Sequence, residues 1–119
     1  MTNKSYHNCN LNIGHYLSEL EWNKIADLYE RMPGWIGYTN GVPYWFGQED
    51  YDRFITASVE PSGLSFYAQL NNSDWNAWIE RFKSEATMVL GYEVGEPEDG
   101  FMFTHRQQAF PVPEDKSRN

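Results

Sequence analysis

His7, Cys9 and His15 are the first residues along the chain that could do chemistry, since two imidazoles and a thiol are metal-ligand types. A tetrahedral site needs four well-placed ligands, or three and a water, and a His-x-Cys pair with a histidine six residues on matches no familiar spacing. No metal is expected there. Cys9 as a nucleophile would need a neighbouring base to generate its thiolate, and its place in a polar tail offers no prepared site. His105 beside an acid could act as a general base, but a lone imidazole near a strand end serves structure or solvent as readily. The sequence has no glycine-rich phosphate loop before a helix, no Cys-x-x-Cys and no His-Glu-x-x-His. These residues predict a protein with no turnover of its own, no catalytic residues and no cofactor.

Carboxylates and rings carry the remaining signal. Glu93, Glu96, Glu98 and Asp99 fall in one segment that Gly95, Pro97 and Gly100 mark as a loop. Glu49, Asp50 and Asp52 form a second acidic loop, partly offset by Arg53. The whole chain carries a formal net charge of −8. Such a balance opposes binding to phosphate backbones and to anionic membrane surfaces, so neither nucleic acid nor membrane is an expected partner. It serves either solubility or attraction to a basic partner. A ring-bearing sheet that gripped RNA would want cations around the rings, and residues 33–70 contain only Arg53. Trp35, Tyr38, Tyr44, Trp45 and Phe46 are too many rings for one face of a short hairpin. Some belong on an outer face, and Tyr38, Tyr44 and Tyr67 are the candidates for a contact surface there.

The elements that must position these residues centre on 33–70. Four strands are predicted, at 35–38, 42–46, 54–60 and 64–70. Asn40-Gly41 suits the two positive φ values of a type I′ turn, and Pro61-Ser62-Gly63 a second tight reversal. Leu64, Phe66, Ala68 and Leu70 alternate with Ser65, Tyr67 and Gln69, as on a sheet with one covered face. Pro43 cannot donate to a ladder, so its strand lies at an edge or begins just after it. Ser18-Glu19-Leu20-Glu21 has the capping-box form, with Leu17 and Trp22 at the staple positions. Trp22, Ile25, Tyr29 and Met32 share one face of the helix that follows, until Pro33 stops it. A second helix, capped by Asn72 or Ser73, runs to Gly91 with Trp75, Trp78, Ile79, Phe82, Ala86, Val89 and Leu90 on its apolar stripe. Trp75 and Trp78 could form a ligand platform, but at this spacing they read as core. After Gly91 one more hairpin with an acidic loop is expected.

The chain has 119 residues, enough for one core. The expected fold is α+β: an antiparallel sheet of four to six strands against two amphipathic helices. The expected domain limits are a flexible arm over 1–14, one domain over 15–110 and a frayed tail over 111–119. A single cysteine allows no internal disulfide, and the polar start is not a secretory signal, so a cytoplasmic protein is expected.

Residues 28–37 (Leu-Tyr-Glu-Arg-Met-Pro-Gly-Trp-Ile-Gly), 42–47 (Val-Pro-Tyr-Trp-Phe-Gly), 57–64 (Ala-Ser-Val-Glu-Pro-Ser-Gly-Leu) and 90–95 (Leu-Gly-Tyr-Glu-Val-Gly) carry a further reading. Their pattern of rings, glycines and turns resembles the immunity proteins of bacterial contact-dependent growth-inhibition and related polymorphic toxin systems, over roughly residues 18–100. The resemblance implies a small, acidic, cytoplasmic protein that binds and neutralises a cognate toxin domain, frequently a nuclease, as a stoichiometric inhibitor. It transfers no catalytic or toxin-contacting residue. A basic nuclease would suit the acid loops as a partner. Two other readings stay open: a nucleic-acid-mimic inhibitor of another protein, and a small-molecule-binding or enzymatic domain with a pocket between sheet and helices. Oligomeric state is not predicted.

Overall fold

The computed structural model describes residues 4–48 and 52–103. In chain order they form β1 (Ser5–Leu11), α1 (Glu19–Arg31), β2 (Trp35–Thr39), β3 (Val42–Trp45), β4 (Phe54–Glu60), β5 (Gly63–Leu70) and α2 (Asn72–Leu90), with a 3-10 turn at Pro97–Asp99. The strands make one antiparallel sheet in the order β1-β5-β4-β3-β2. The fold is α+β, and five strands lie within the expected range.

Local signals place most of these elements. Ser18 caps α1 through the Glu21 amide at 3.1 Å, and the Glu21 carboxylate accepts from the Ser18 amide at 2.9 Å. Met32, extended at φ −75° and ψ 147°, ends α1 just before Pro33, whose ring disfavours the helical region for its predecessor. Asn40 and Gly41 take φ 53° and 80°, the left-handed pair that reverses β2 into β3. The cap of α2 is Asn71, one residue before Asn72 and two before Ser73, the expected positions. Its side chain accepts from the Asp74 amide at 2.7 Å, and Gly91 closes the helix at φ 80°.

Both helices pack on the same face of the sheet. Ile25 and Leu28 from α1, Trp78 and Phe82 from α2, and Trp45, Ile55, Phe66 and Ala68 from the strands share one buried cluster. Its centre is aromatic. The Phe66 and Phe82 ring centroids stand 4.9 Å apart, and those of Trp45 and Trp78 5.0 Å. The buried indoles keep their donors satisfied: Trp45 donates to the Tyr29 carbonyl and Trp78 to the Pro33 carbonyl, each at 2.9 Å. Trp75 and Trp78 are thus core and not a platform.

The structure corrects the sequence reading in four places. Residues 5–11 are not a loose arm but β1, paired along its length with β5. Asparagine is a poor strand former, yet Ser5, His7, Cys9 and Leu11 alternate inward, the first two half-buried and the last two buried, with His7 stacked on Trp75 of α2, which overrides propensity. Leu11 and Ile13 are fully buried. The hairpin expected after Gly91 is absent among the described residues. Residues 92–96 are irregular, the 3-10 turn follows, and 101–103 lie outside any strand. β3 is interior, and it pairs with β4 only from Tyr44, just after Pro43. Finally, the β2–β3 register shifts between Trp35 and Gly37, which has φ 133°. This bulge puts Trp35 and Tyr38 on the same, helix-covered face, with their rings 5.2 Å apart. The tail assigned to 111–119 lies outside the described residues. No described helix is long and apolar enough to cross a membrane.

Candidate functional site: an acidic strap and an open sheet face

Asn12 organises the acidic segment. It is the one buried residue of polar type among the described residues, 1% exposed. Its amide nitrogen donates to the Glu93 carbonyl at 3.0 Å and to the Met102 carbonyl at 2.8 Å. Its side-chain oxygen accepts from the Gly95 amide at 2.9 Å. Its own backbone is also used: the amide donates to the Gly95 carbonyl at 3.0 Å, and the carbonyl accepts from the Tyr92 hydroxyl at 2.7 Å. A buried amide so fully partnered costs little to desolvate and fixes whatever it bonds. Residues 92–102 are therefore a strap fastened across the end of β1. Val94 is buried under it, and its amide donates to the Thr87 hydroxyl at 2.9 Å. Gly95 has no room for a side chain, since a Cβ there would stand 2.3 Å from the Phe101 ring.

The strap divides its own acids. Glu93, Glu98 and Asp99 face solvent. Glu96 turns back toward Lys83 of α2 at 3.6 Å, with both side chains partly buried. Sequence spacing suggested that all four charges are presented; one is neutralised, because α2 runs beneath the strap. Cys9 sits beside this pair. Burial, then the Glu96 charge, pushes its thiol up to about 12, so it is a protonated core residue and not a nucleophile.

The second acidic loop is only partly visible. Glu49 and Asp50 lie outside the described residues. Asp52 is exposed and pairs with Lys4 at 3.4 Å. Arg53 does not offset it: its guanidinium points to Asp74 at 3.4 Å and lies 4.6 Å over the Phe46 ring. Asp52 and the strap's Glu96 thus have different cation partners.

Tyr44 and Tyr67 stand on the sheet face opposite the helices, as expected for a contact surface. Tyr38 does not join them, because the β2 bulge turns it to the other face, beside Tyr29 and Trp22. The sequence reading missed two rings of this outer face. Tyr6 stacks on Tyr67 with centroids 5.8 Å apart, and Phe54 tilts against Tyr67 at 5.7 Å. The strand register could have found them. Tyr6 alternates with the buried residues of β1, but that strand was not recognised.

The candidate ligand set dissolves on the same geometry. His7 stacks on Trp75 with centroids 5.2 Å apart, and its Nε2 lies 3.0 Å from the Leu70 carbonyl. His15 is exposed and edge-on to Tyr16. No group of three metal-ligating side chains exists among the described residues. His105 lies outside them. Comparison with family models, with curated proteins and with solved structures finds no match for this chain.

Proposed function

We propose that this chain is an immunity protein: a cytoplasmic, stoichiometric inhibitor that binds and neutralises a cognate toxin domain, basic and acting as a nuclease. The observation that carries the reading is the fastening of the acidic strap. Glu93, Glu98 and Asp99 project from a backbone held by Asn12, so their charge is presented in one geometry before a partner arrives. Pre-ordered charge avoids the cost of ordering a loop on binding, and complementary charge speeds encounter. A net charge of −8 adds a long-range attraction for a basic surface. The resemblance in residues 28–37, 42–47, 57–64 and 90–95 points the same way.

Co-purification with the product of the neighbouring gene tests the proposal. A tight one-to-one complex with a toxin domain, and loss of that domain's activity in it, is the expected result. Within that complex, reversing Glu93, Glu98 and Asp99 to lysine should slow association at about 0.1 M salt, where the screening length is about 10 Å, and matter little at 1 M, where it is about 3 Å. A neighbour that neither binds nor is inhibited, together with a turnover by the chain itself that survives purification, would remove the reading in favour of an enzyme.

A further inference from the structure

The outer sheet face carries a slot between two tyrosines. The register aligns Asn8, Tyr67, Thr56 and Tyr44 in one row across β1, β5, β4 and β3. Tyr67 and Tyr44 are therefore separated by one strand, and that strand contributes only the small Thr56 between them. Neighbouring strands lie about 4.8 Å apart, so the two tyrosine backbones stand about 9.6 Å apart, room for one flat group between two rings. Thr56 is turned down, its hydroxyl donating to the Pro43 carbonyl at 2.9 Å. Toward the β4–β5 turn the next row is Ser58 and Ser65, again small, so the slot stays open at that end. Tyr6 and Phe54, both opposite Gln69, pack against the Tyr67 ring from the neighbouring row.

The mouth of the slot is anionic. Glu60 is on the same face of β4 and lines the same cleft, and the Ser58 hydroxyl donates to its Oε2 at 2.7 Å. That bond fixes the carboxylate and leaves Oε1 without a donor among the described residues. No lysine or arginine lines the cleft. Four of the described cations are paired elsewhere: Lys4 with Asp52, Arg31 with Glu85, Arg53 with Asp74 and Lys83 with Glu80 and Glu96.

We infer that this slot takes the guanidinium of an arginine presented by a protein partner, with its plane between Tyr44 and Tyr67 and its edge on Glu60. A planar delocalised cation stacks on aromatic faces and pairs with a carboxylate through two N–H groups, whereas an ammonium does neither as well. Tyrosine and arginine are also among the residues enriched at the energetic anchors of protein interfaces. The identity of the partner rests on the inhibitor reading above. The chemistry of the slot does not.

The test is an NMR titration of the whole chain with N-acetyl-arginine amide, using the lysine and citrulline analogues as controls. Saturable shifts confined to the Tyr44 and Tyr67 rings and the Thr56 and Ser58 amides are expected for arginine. Citrulline, flat but uncharged, should leave them unmoved. Glu60→Gln should weaken arginine binding by about two- to fivefold, the share of a partly solvated ion pair. Tyr44→Ala should abolish saturation with an unchanged amide spectrum elsewhere. Equal shifts with citrulline, or arginine shifts on the strap instead of the slot, would overturn the inference. A slot that saturates in a chain unable to capture its neighbour's product supports the slot and removes the immunity reading. A captured toxin domain whose complex is indifferent to Tyr44→Ala and Glu60→Gln does the reverse.

Discussion

The two faces of the sheet carry rings in similar supply and use them in opposite ways. On the helix side, Trp45, Phe66, Trp78 and Phe82 each touch several other rings, and all are buried. On the open side, Tyr67 meets Tyr6 and Phe54, but Tyr44 has no ring partner among the described residues and Tyr6 is 64% exposed. The same alternating pattern in β4 and β5 produces both faces. The difference is what lies on top. Two amphipathic helices bury one set of rings, while on the other face Phe54 is buried and Tyr6, Tyr44 and Tyr67 keep exposed surface. Burial is decided by the whole chain, and residue type alone does not assign a role.

The sharpest way to break this comparison is to remove one ring from each face. Phe82→Ala should cost about 3–5 kcal/mol, seen as a large drop in the denaturant midpoint with the slope unchanged. A loss below about 1 kcal/mol would mean that the helix face is not the core. Asn12→Ala acts on neither face but on the strap between β1 and α2. Each buried group it leaves unpaired costs about 1–3 kcal/mol, and hydrogen exchange should accelerate first at the Gly95 amide. If global stability falls while Gly95 stays protected, the strap has another fastening. Ser18→Ala removes the cap of α1 and should cost about 1 kcal/mol, read as a lowered melting temperature. Tyr44→Ala, on the open face, should cost no more than about 1 kcal/mol, the range of a single cross-strand pair. A loss as large as that of Phe82→Ala would erase the distinction between the faces.

What was legible in the sequence was whatever depends on short-range chemistry. The capping box at Ser18, the Asn40-Gly41 turn and the stripe on α2 are local devices, and each sits where its residues place it. What was hidden depends on distant partners. β1 reads as polar because its outward positions are Tyr6, Asn8 and Asn10, and only pairing with β5 shows that the inward set is continuous with the core. Tyr38 was placed on the wrong face because a one-residue bulge at Ile36 inverts the alternation of β2, with Gly37 as its only trace. The strap looked like a hairpin since Tyr92 and Val94 alternate with acids. Its structure is set by Asn12, which lies in an asparagine-rich run with nothing local to single it out. Of the candidate site, the acids were readable as charges, but the neutralisation of Glu96 by Lys83 required α2 beneath it.

Asn12 also imposes an order in time. Its partners at Glu93 and Met102 are 81 and 90 residues further along the chain. A ribosome adding about 5–20 residues per second needs about 4–18 s to go from Asn12 to these partners. For that interval the first strand has no strap to receive it. Its own ladder partner, β5, also emerges only after β2, β3 and β4 have been made. β1 can thus pair with β5 once Leu70 has been made, but Asn12 beyond it is fastened only after Met102 has followed.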